Sequence, residues 1–567
     1  MIRKISALLI ASILSFGLAA CVFPFTTISS DSLTTIETEE SSTTYTDTQT
    51  SAVTTDSTTG AITSTTESTT TATTVTTTTS QPSEPVTIEL YSVNDFHGGA
   101  YTEIGTISEI GQYVISRRAE NPNTILLATG DIFQGSALSN YYHGRPLVDI
   151  LNVAGCVSFT LGNHEFDWGI EAIGEYSDEN PENGEALYTV LAANIVYQST
   201  GDMLPWTRPY EIVETSGVRI GIIGVIGDVI DSIAVSRVTG IEFLDAADTV
   251  YEYAEILREE ENCDIVVVSI HGYDSYTNYE IAGFSGSHRV DAIFNGHTHW
   301  DQANLISRSG VSLPYAQASN GEYSVLAQIV LTYDPNTGSV TNAVANTLAL
   351  DDLGGTNQEI NQILNDYSTR TDYVVFVSEI LADSDSDYTR YNLAPWGASV
   401  LRDYVSTDVG VLNAGGFRVD MEYGNVTMGD LITIYPFDNY IKTCYLTGSQ
   451  LIGLYEDSLS PNIDLVFDDK VTYSGGTLYV DGIAVQASDL YLVGAVDYVF
   501  DKSAYVFLDG SQITTTSYLM RDLLATDLRN HPYSGGFNPS DGTAMTLGSI
   551  CYDFRNFYLS KEETFVI

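Results

Sequence analysis

Five apolar runs in the first 300 residues of the chain end abruptly in polar, mostly ionisable groups. Residues 88–97 close on Asn94, Asp95 and His97, residues 124–131 on Gly130 and Asp131, and residues 160–167 on Asn163, His164, Glu165 and Asp167. Residues 263–271 close on His271, and residues 291–299 on His297 and His299. Continuous runs rich in β-branched residues read as strands buried on both faces, and such sheets take ligands at the carboxyl ends of their strands. Five strand ends are therefore expected to converge on one site. Between them, residues 106–119 and the Glu-rich 246–261 carry apolar side chains at helical spacing, and 218–226 and 323–333 read as further strands. The pattern predicts a layered α/β sandwich over residues 86–350 and leaves strand order open.

Beyond it, residues 351–374 are polar, with a helix legible at 357–367, and residues 375–567 read as a second domain. There the apolar strand 408–412 opens into a turn, Asn413-Ala414-Gly415-Gly416-Phe417-Arg418. Glycines let backbone approach a ligand, and arginine suits carboxylate or phosphate. The amino terminus differs from everything after it. Arg3 and Lys4 followed by an apolar run form a signal-peptide pattern over 1–20, and Leu18-Ala19-Ala20-Cys21 resembles a bacterial lipobox. Acylation at Cys21 predicts tethering at the outer face of the cell membrane, with the lipid as the only membrane contact. Residues 21–85 are Ser/Thr-rich and too poor in large apolar groups to offset their ordering entropy, so a disordered tether is expected.

Composition narrows the partners. The 567 residues carry 74 acidic and 22 basic side chains, a formal charge of −52 that argues against a nucleic-acid polymer as ligand. Cys156, Cys263, Cys444 and Cys551 lie far apart in apolar settings and are expected as buried free thiols. Of eight histidines, five (His97, His164, His271, His297 and His299) stand at the run ends. A satisfied core histidine is the ordinary explanation for one such residue and a poor one for five. Aspartate and histidine are oxygen and nitrogen ligands for divalent cations, and a carboxylate can bridge two of them. Asp95 and His97, two apart, are expected on one side of an extended strand end, with His297 and His299 repeating that geometry. The set exceeds what one tetrahedral ion needs, which points to two.

Asn94-Asp95-Phe96-His97-Gly98, Gly130-Asp131, Gly162-Asn163-His164-Glu165, His271-Gly272 and Gly296-His297-Thr298-His299, in that order, resemble the calcineurin-like metallophosphoesterases. Asn163-His164-Glu165-Phe166-Asp167 and Leu191-Ala192-Ala193-Asn194 look like the branch holding the bacterial 5′-nucleotidases and UDP-sugar hydrolases. The resemblance implies a four-layer α/β/β/α sandwich joined by a helix to a smaller α+β substrate-binding domain. It implies that Asp95, His97 and His299 hold one metal, that Asn163, His271 and His297 hold a second, and that Asp131 bridges them. His164 is then the catalytic side chain facing the phosphate, oriented by Asp167; Glu165 receives no role. Two cations about 3.5–4 Å apart acidify a water between them and grip phosphoryl oxygens. Zinc, manganese, cobalt and iron all suit this ligand set.

The second domain resembles its counterpart in the same nucleotidases through the glycine turn, Gly429-Asp430-Leu431, Tyr435-Pro436-Phe437-Asp438-Asn439 and Leu446-Thr447-Gly448. On that likeness Asn413 and Arg418 contact substrate, Arg390 is a second arginine, and Phe437 with Tyr498 forms an aromatic clamp on the base. The Gly-Gly-Asp-Gly segment usual in the second clamp arm is missing after Tyr498. The expected activity is 5′-nucleotidase hydrolysis of a nucleotide or another phosphate ester. The alternatives are a UDP-sugar hydrolase, a 2′,3′-cyclic-nucleotide phosphodiesterase, and, in another class, a non-catalytic surface lipoprotein.

Overall fold

The computed structural model describes residues 84–544, apart from 179, 181–183, 462 and 531–535. The signal peptide, Cys21, the tether before residue 84 and Cys551 lie outside the described residues.

Two six-stranded sheets form the first domain. In spatial order the first runs Ser339–Leu348, Leu326–Asp334, Val86–Val93, Thr124–Thr129, Cys156–Thr160 and Thr189–Leu191, its last four strands parallel. The second runs Gln302–Ile306, Leu313–Gln317, Ala292–Asn295, Ile265–His271, Val218–Ile226 and Tyr210–Thr215, with the middle four parallel. Their facing surfaces bury Ile88, Leu90, Ile125, Leu127, Ile220, Ile222 and Val267. Helices Thr106–Glu120 and Arg145–Ala154 cover the outside of the first sheet, and Ala246–Glu255 and Ser275–Gly283 the outside of the second. The result is the α/β/β/α sandwich. A run such as Ile265–His271 is apolar throughout because both its faces are covered.

Below the strand ends the sheets are joined by hydroxyls: Ser92 Oγ to Thr129 Oγ1 (2.7 Å), Thr129 Oγ1 to Ser269 Oγ (2.9 Å), and Thr160 Oγ1 to Ser269 Oγ (2.7 Å). This buried chain sets the sheet spacing directly under the site. Two element boundaries depart from expectation. The strand expected from Tyr323 begins at Leu326, because Ser319 and Ser324 bind each other's backbone in a turn. The helix expected to reach Glu261 is regular only to Glu255 and continues as one π-helical turn, Ile256–Glu260.

Asn357 caps Gln358–Ser368 by accepting from the N–H groups of Glu359 and Ile360. That helix is docked on the first domain through buried Ile360 and a 2.8 Å hydrogen bond from Tyr367 to Asp149. After Thr371–Val377 comes a mixed five-stranded sheet ordered Val466–Phe467, Val409–Leu412, Leu490–Val496, Tyr440–Thr447 and Ser511–Leu519, packed on Arg390–Val405. No helix among the described residues is long and apolar enough to cross a membrane.

Candidate metal centre and substrate cleft

The polar groups leave the strands on loops whose backbone is left-handed. Among the described residues eleven non-glycine residues have positive φ, and five of them are Asp95 (51°), His97 (49°), Asp131 (55°), His297 (78°) and His299 (57°). Each costs about 1–2 kcal/mol, so the fold concentrates backbone strain where the donors must converge. This corrects the expected geometry: Asp95 and His97 do not share a face of an extended strand, since the strand stops at Val93. They meet because the chain coils after it. His297 and His299 likewise diverge, His299 lying with Asp95 and His97 while His297 lies with Asp131 and His271. A Cβ on Gly130 would stand 2.3 Å from His271 Nδ1, and one on Gly162 would stand 2.3 Å from Asp131 Oδ1, so the loops carry no side chain at these positions.

The donors form two adjoining sets. His97 Nε2 is 3.2 Å from His299 Nε2, which is 3.6 Å from Asp95 Oδ1. Asn163 Oδ1 is 3.1 Å from His271 Nε2 and 2.7 Å from His297 Nδ1. Asp131 Oδ2 stands between the sets, 3.2 Å from His271 Nε2 and 4.0 Å from His97 Nε2. Ligands about 2.0–2.2 Å from a common cation are separated by about 3–3.5 Å, and the quoted separations within the two sets run from 2.7 Å to 3.6 Å around that range. The residues present therefore fit divalent cations. Two of the remaining ring nitrogens face carbonyls: His271 Nδ1 lies 2.9 Å from that of Thr129 and His97 Nδ1 3.3 Å from that of Gln134. Partners of this kind fix ring orientation and leave the other nitrogen for a metal.

The charges agree. Burial, then neighbouring positive groups, lowers His297 to about 4 and His299 to about 3, and holds His97 well below its ordinary value, so these rings are neutral, as ligands must be. Burial also opposes charge on His271, but Asp131 outweighs it and raises that ring to about 10.

His164 Nδ1 is 2.7 Å from Asp167 Oδ2, and its backbone N–H donates to Asp131 Oδ1 at 2.8 Å. Burial works against a charged ring here, yet the carboxylates of Asp167 and Asp131 prevail and raise its pKa. His164 lines a cleft together with Asp131, Asn163, His297, His299 and Asp167 from the first domain. From the second domain the same cleft receives Asn413, Arg418, Phe437, Asp464 and Tyr498. Phe437 stacks on His164, with centroids 5.6 Å apart and planes at 29°. Arg390 is not among the lining residues; its guanidinium lies over Tyr391, 2.9 Å from that hydroxyl.

Two residues matter that the sequence did not single out for a role. Glu165, 2% exposed, accepts from the backbone N–H groups of Asp131 and Gly162 at 2.8 Å each through Oε2, and of Ile132 at 3.1 Å through Oε1. It ties the loop bearing Asp131 to the loop bearing Asn163. Its signal was only an acidic residue within the polar run from Asn163 to Asp167. Asp464 accepts from the N–H groups of Ala414 (3.2 Å) and Gly415 (2.7 Å) and so braces the glycine turn beside the cleft.

Residues 90–301 match the calcineurin-like phosphoesterase family model and residues 374–505 match the 5′-nucleotidase C-terminal domain. An apyrase of Tabanus yao is 28% identical over 430 residues, covering 66% of this chain and 74% of the relative. Endonuclease YhcR of Bacillus subtilis is 25% identical over 470 residues, covering 77% of this chain but 38% of that longer protein. In fold, the chain resembles the 5′-nucleotidase precursor of Thermus thermophilus, with a TM-score of 0.65 at 18% identity over 78% of this chain and 96% of that one.

Proposed function

The chain belongs to the calcineurin-like, metal-dependent phosphoesterases and carries a 5′-nucleotidase C-terminal domain, and we propose that it hydrolyses nucleoside 5′-phosphates to nucleoside and inorganic phosphate. The observation that carries this reading is the composition of one cleft, which gathers metal donors and an oriented histidine from the first domain with Arg418, Phe437 and Tyr498 from the second. Asp95, His97 and His299 would hold one divalent cation and Asn163, His271 and His297 a second, with Asp131 placed to serve both. When bound, such a pair supplies Lewis acidity that activates water near neutral pH and offsets phosphoryl charge.

The chain's own residues do the rest. Asp167 keeps the proton on His164 Nδ1, so Nε2 points its proton at the leaving ester oxygen. Transfer of that proton releases the nucleoside as an alcohol rather than an alkoxide; the attacking water gives up its proton to solvent, from which the ring is reprotonated. Arg418 meets the phosphate, in a molecule whose overall −52 charge otherwise repels it. Phe437 and Tyr498 offer ring faces to the base, worth about 1–3 kcal/mol each, while Asn413 and Asp464 serve the sugar. A lipid-anchored position outside the cell, through Cys21, is part of the proposal and is supported by the apolar run and the Leu18-Ala19-Ala20-Cys21 segment.

The test is a substrate panel of 5′-AMP, UDP-glucose, 2′,3′-cyclic AMP and p-nitrophenyl phosphate, with and without chelator. The highest kcat/KM is expected for 5′-AMP, lost on chelation. Preference for UDP-glucose or the cyclic nucleotide would replace the substrate while keeping the metal site. No chelator-sensitive hydrolysis of any of the four would overturn the proposal.

A further inference from the structure

Tyr101 follows the first metal-binding loop and belongs to no motif. Its ring stands edge-on to His97 (5.3 Å, 90°) and to His299 (5.6 Å, 62°). Across the cleft the guanidinium carbon of Arg418 lies 5.6 Å from the Tyr101 ring and 5.8 Å from the Phe437 ring. Phe437 in turn stacks on His164. The arginine is thus flanked by one aromatic ring from each domain, between the first metal set and the catalytic histidine.

Arg418 forms no salt bridge with a carboxylate among the described residues, although acidic side chains outnumber basic ones more than threefold. Arg521, by contrast, pairs with Asp438. A guanidinium has five N–H donors and binds a phosphate best when its plane is already oriented. Aromatic faces attract the cation without occupying those in-plane donors. Carboxylates would occupy them. Arg418 lines the same cleft as Asp131, His164, His297 and His299, close to where a phosphoryl group must sit.

We propose that Tyr101 is a positioning residue for Arg418: its ring holds the guanidinium over the metal end of the cleft, so that the substrate phosphate meets a pre-oriented cation. This rests on the phosphoesterase reading above and adds a specificity element that the first domain lends to an arginine of the second. The Tyr101 hydroxyl also lies within hydrogen-bonding reach of Arg418 and adds to the hold of the ring.

A double-mutant cycle tests it, with phosphate release from 5′-AMP, competitive inhibition by inorganic phosphate, and metal content measured for each full-length variant. Tyr101→Leu is expected to raise KM and the phosphate Ki about 5–20-fold, with kcat changed less than about threefold and metal content unaltered. Tyr101→Phe, which keeps the ring, should return both to within about threefold of the parent. In an Arg418→Gln background, Tyr101→Leu should change KM less than about twofold, because the group it positions is gone. Equal KM losses in both backgrounds, or metal loss in Tyr101→Leu, would overturn the inference while leaving the phosphoesterase assignment intact. A parent protein inactive on every phosphate ester would instead overturn the assignment, and the inference with it.

Discussion

Replacing Glu165 by glutamine keeps the shape of a buried side chain and changes one of its two ends from acceptor to donor. Oε2 receives two N–H groups at 2.8 Å, from Asp131 and Gly162, so the amide oxygen will occupy that end. The amide NH₂ then confronts the Ile132 N–H, which loses its 3.1 Å acceptor in a site where water does not reach. A stranded buried donor costs about 1–3 kcal/mol, and the two surviving bonds lose their charge assistance. Repulsion between Glu165 and Asp131 is relieved and returns part of this, leaving a net loss of about 2 kcal/mol. The change is read by urea unfolding with chelator present, followed by tryptophan fluorescence. Three of the chain's four tryptophans, Trp168, Trp206 and Trp300, lie in the first domain. Because Glu165 ties together the loops carrying Asp131 and Asn163, metal affinity should fall in parallel with stability. An unfolding midpoint and metal content equal to those of the parent would refute the anchoring role.

Further outcomes follow from the same geometry. His164→Ala should retain its metal and lose about 10²–10⁴-fold in kcat, the range for a positioned acid; loss of metal in that variant would make His164 a ligand rather than a proton donor. Burial pushes the Cys156 thiol up to about 12 and that of Cys444 up to about 11, and Cys263 is raised for the same reason. All three are free and buried, and the thiolate is the reactive form, so none should be alkylated by iodoacetamide in the native protein at pH 8. Peptide mapping that found any of the three modified before unfolding would contradict the packing described.

Strands buried on both faces were legible because burial leaves a continuous apolar run, as in Val218–Ile226, whose limits follow directly from the pattern. The donors were legible because each such run stops at a polar group. What the pattern could not convey is the left-handed coil at Asp95, His97 and His299, since φ there is imposed by loops from several strands meeting. For the same reason Glu165 and Tyr101 were silent: their roles depend on which backbone N–H groups and which arginine the tertiary fold brings to them. Arg390 lies with its guanidinium over the Tyr391 ring, a placement that no pattern in the sequence conveyed. In the second domain, pairings such as that of the two-residue strand Val466–Phe467 with Val409–Leu412 are too short to carry a periodicity.

The most direct test of the account is a metal titration of the chelated, metal-free protein, with phosphate release from 5′-AMP measured at each addition of zinc, manganese or cobalt. The donor sets built on Asp95, His97 and His299 and on Asn163, His271 and His297, joined by Asp131, predict that activity rises to a plateau at two ions per chain. Full activity in the presence of chelator, or a plateau at one ion, would contradict it.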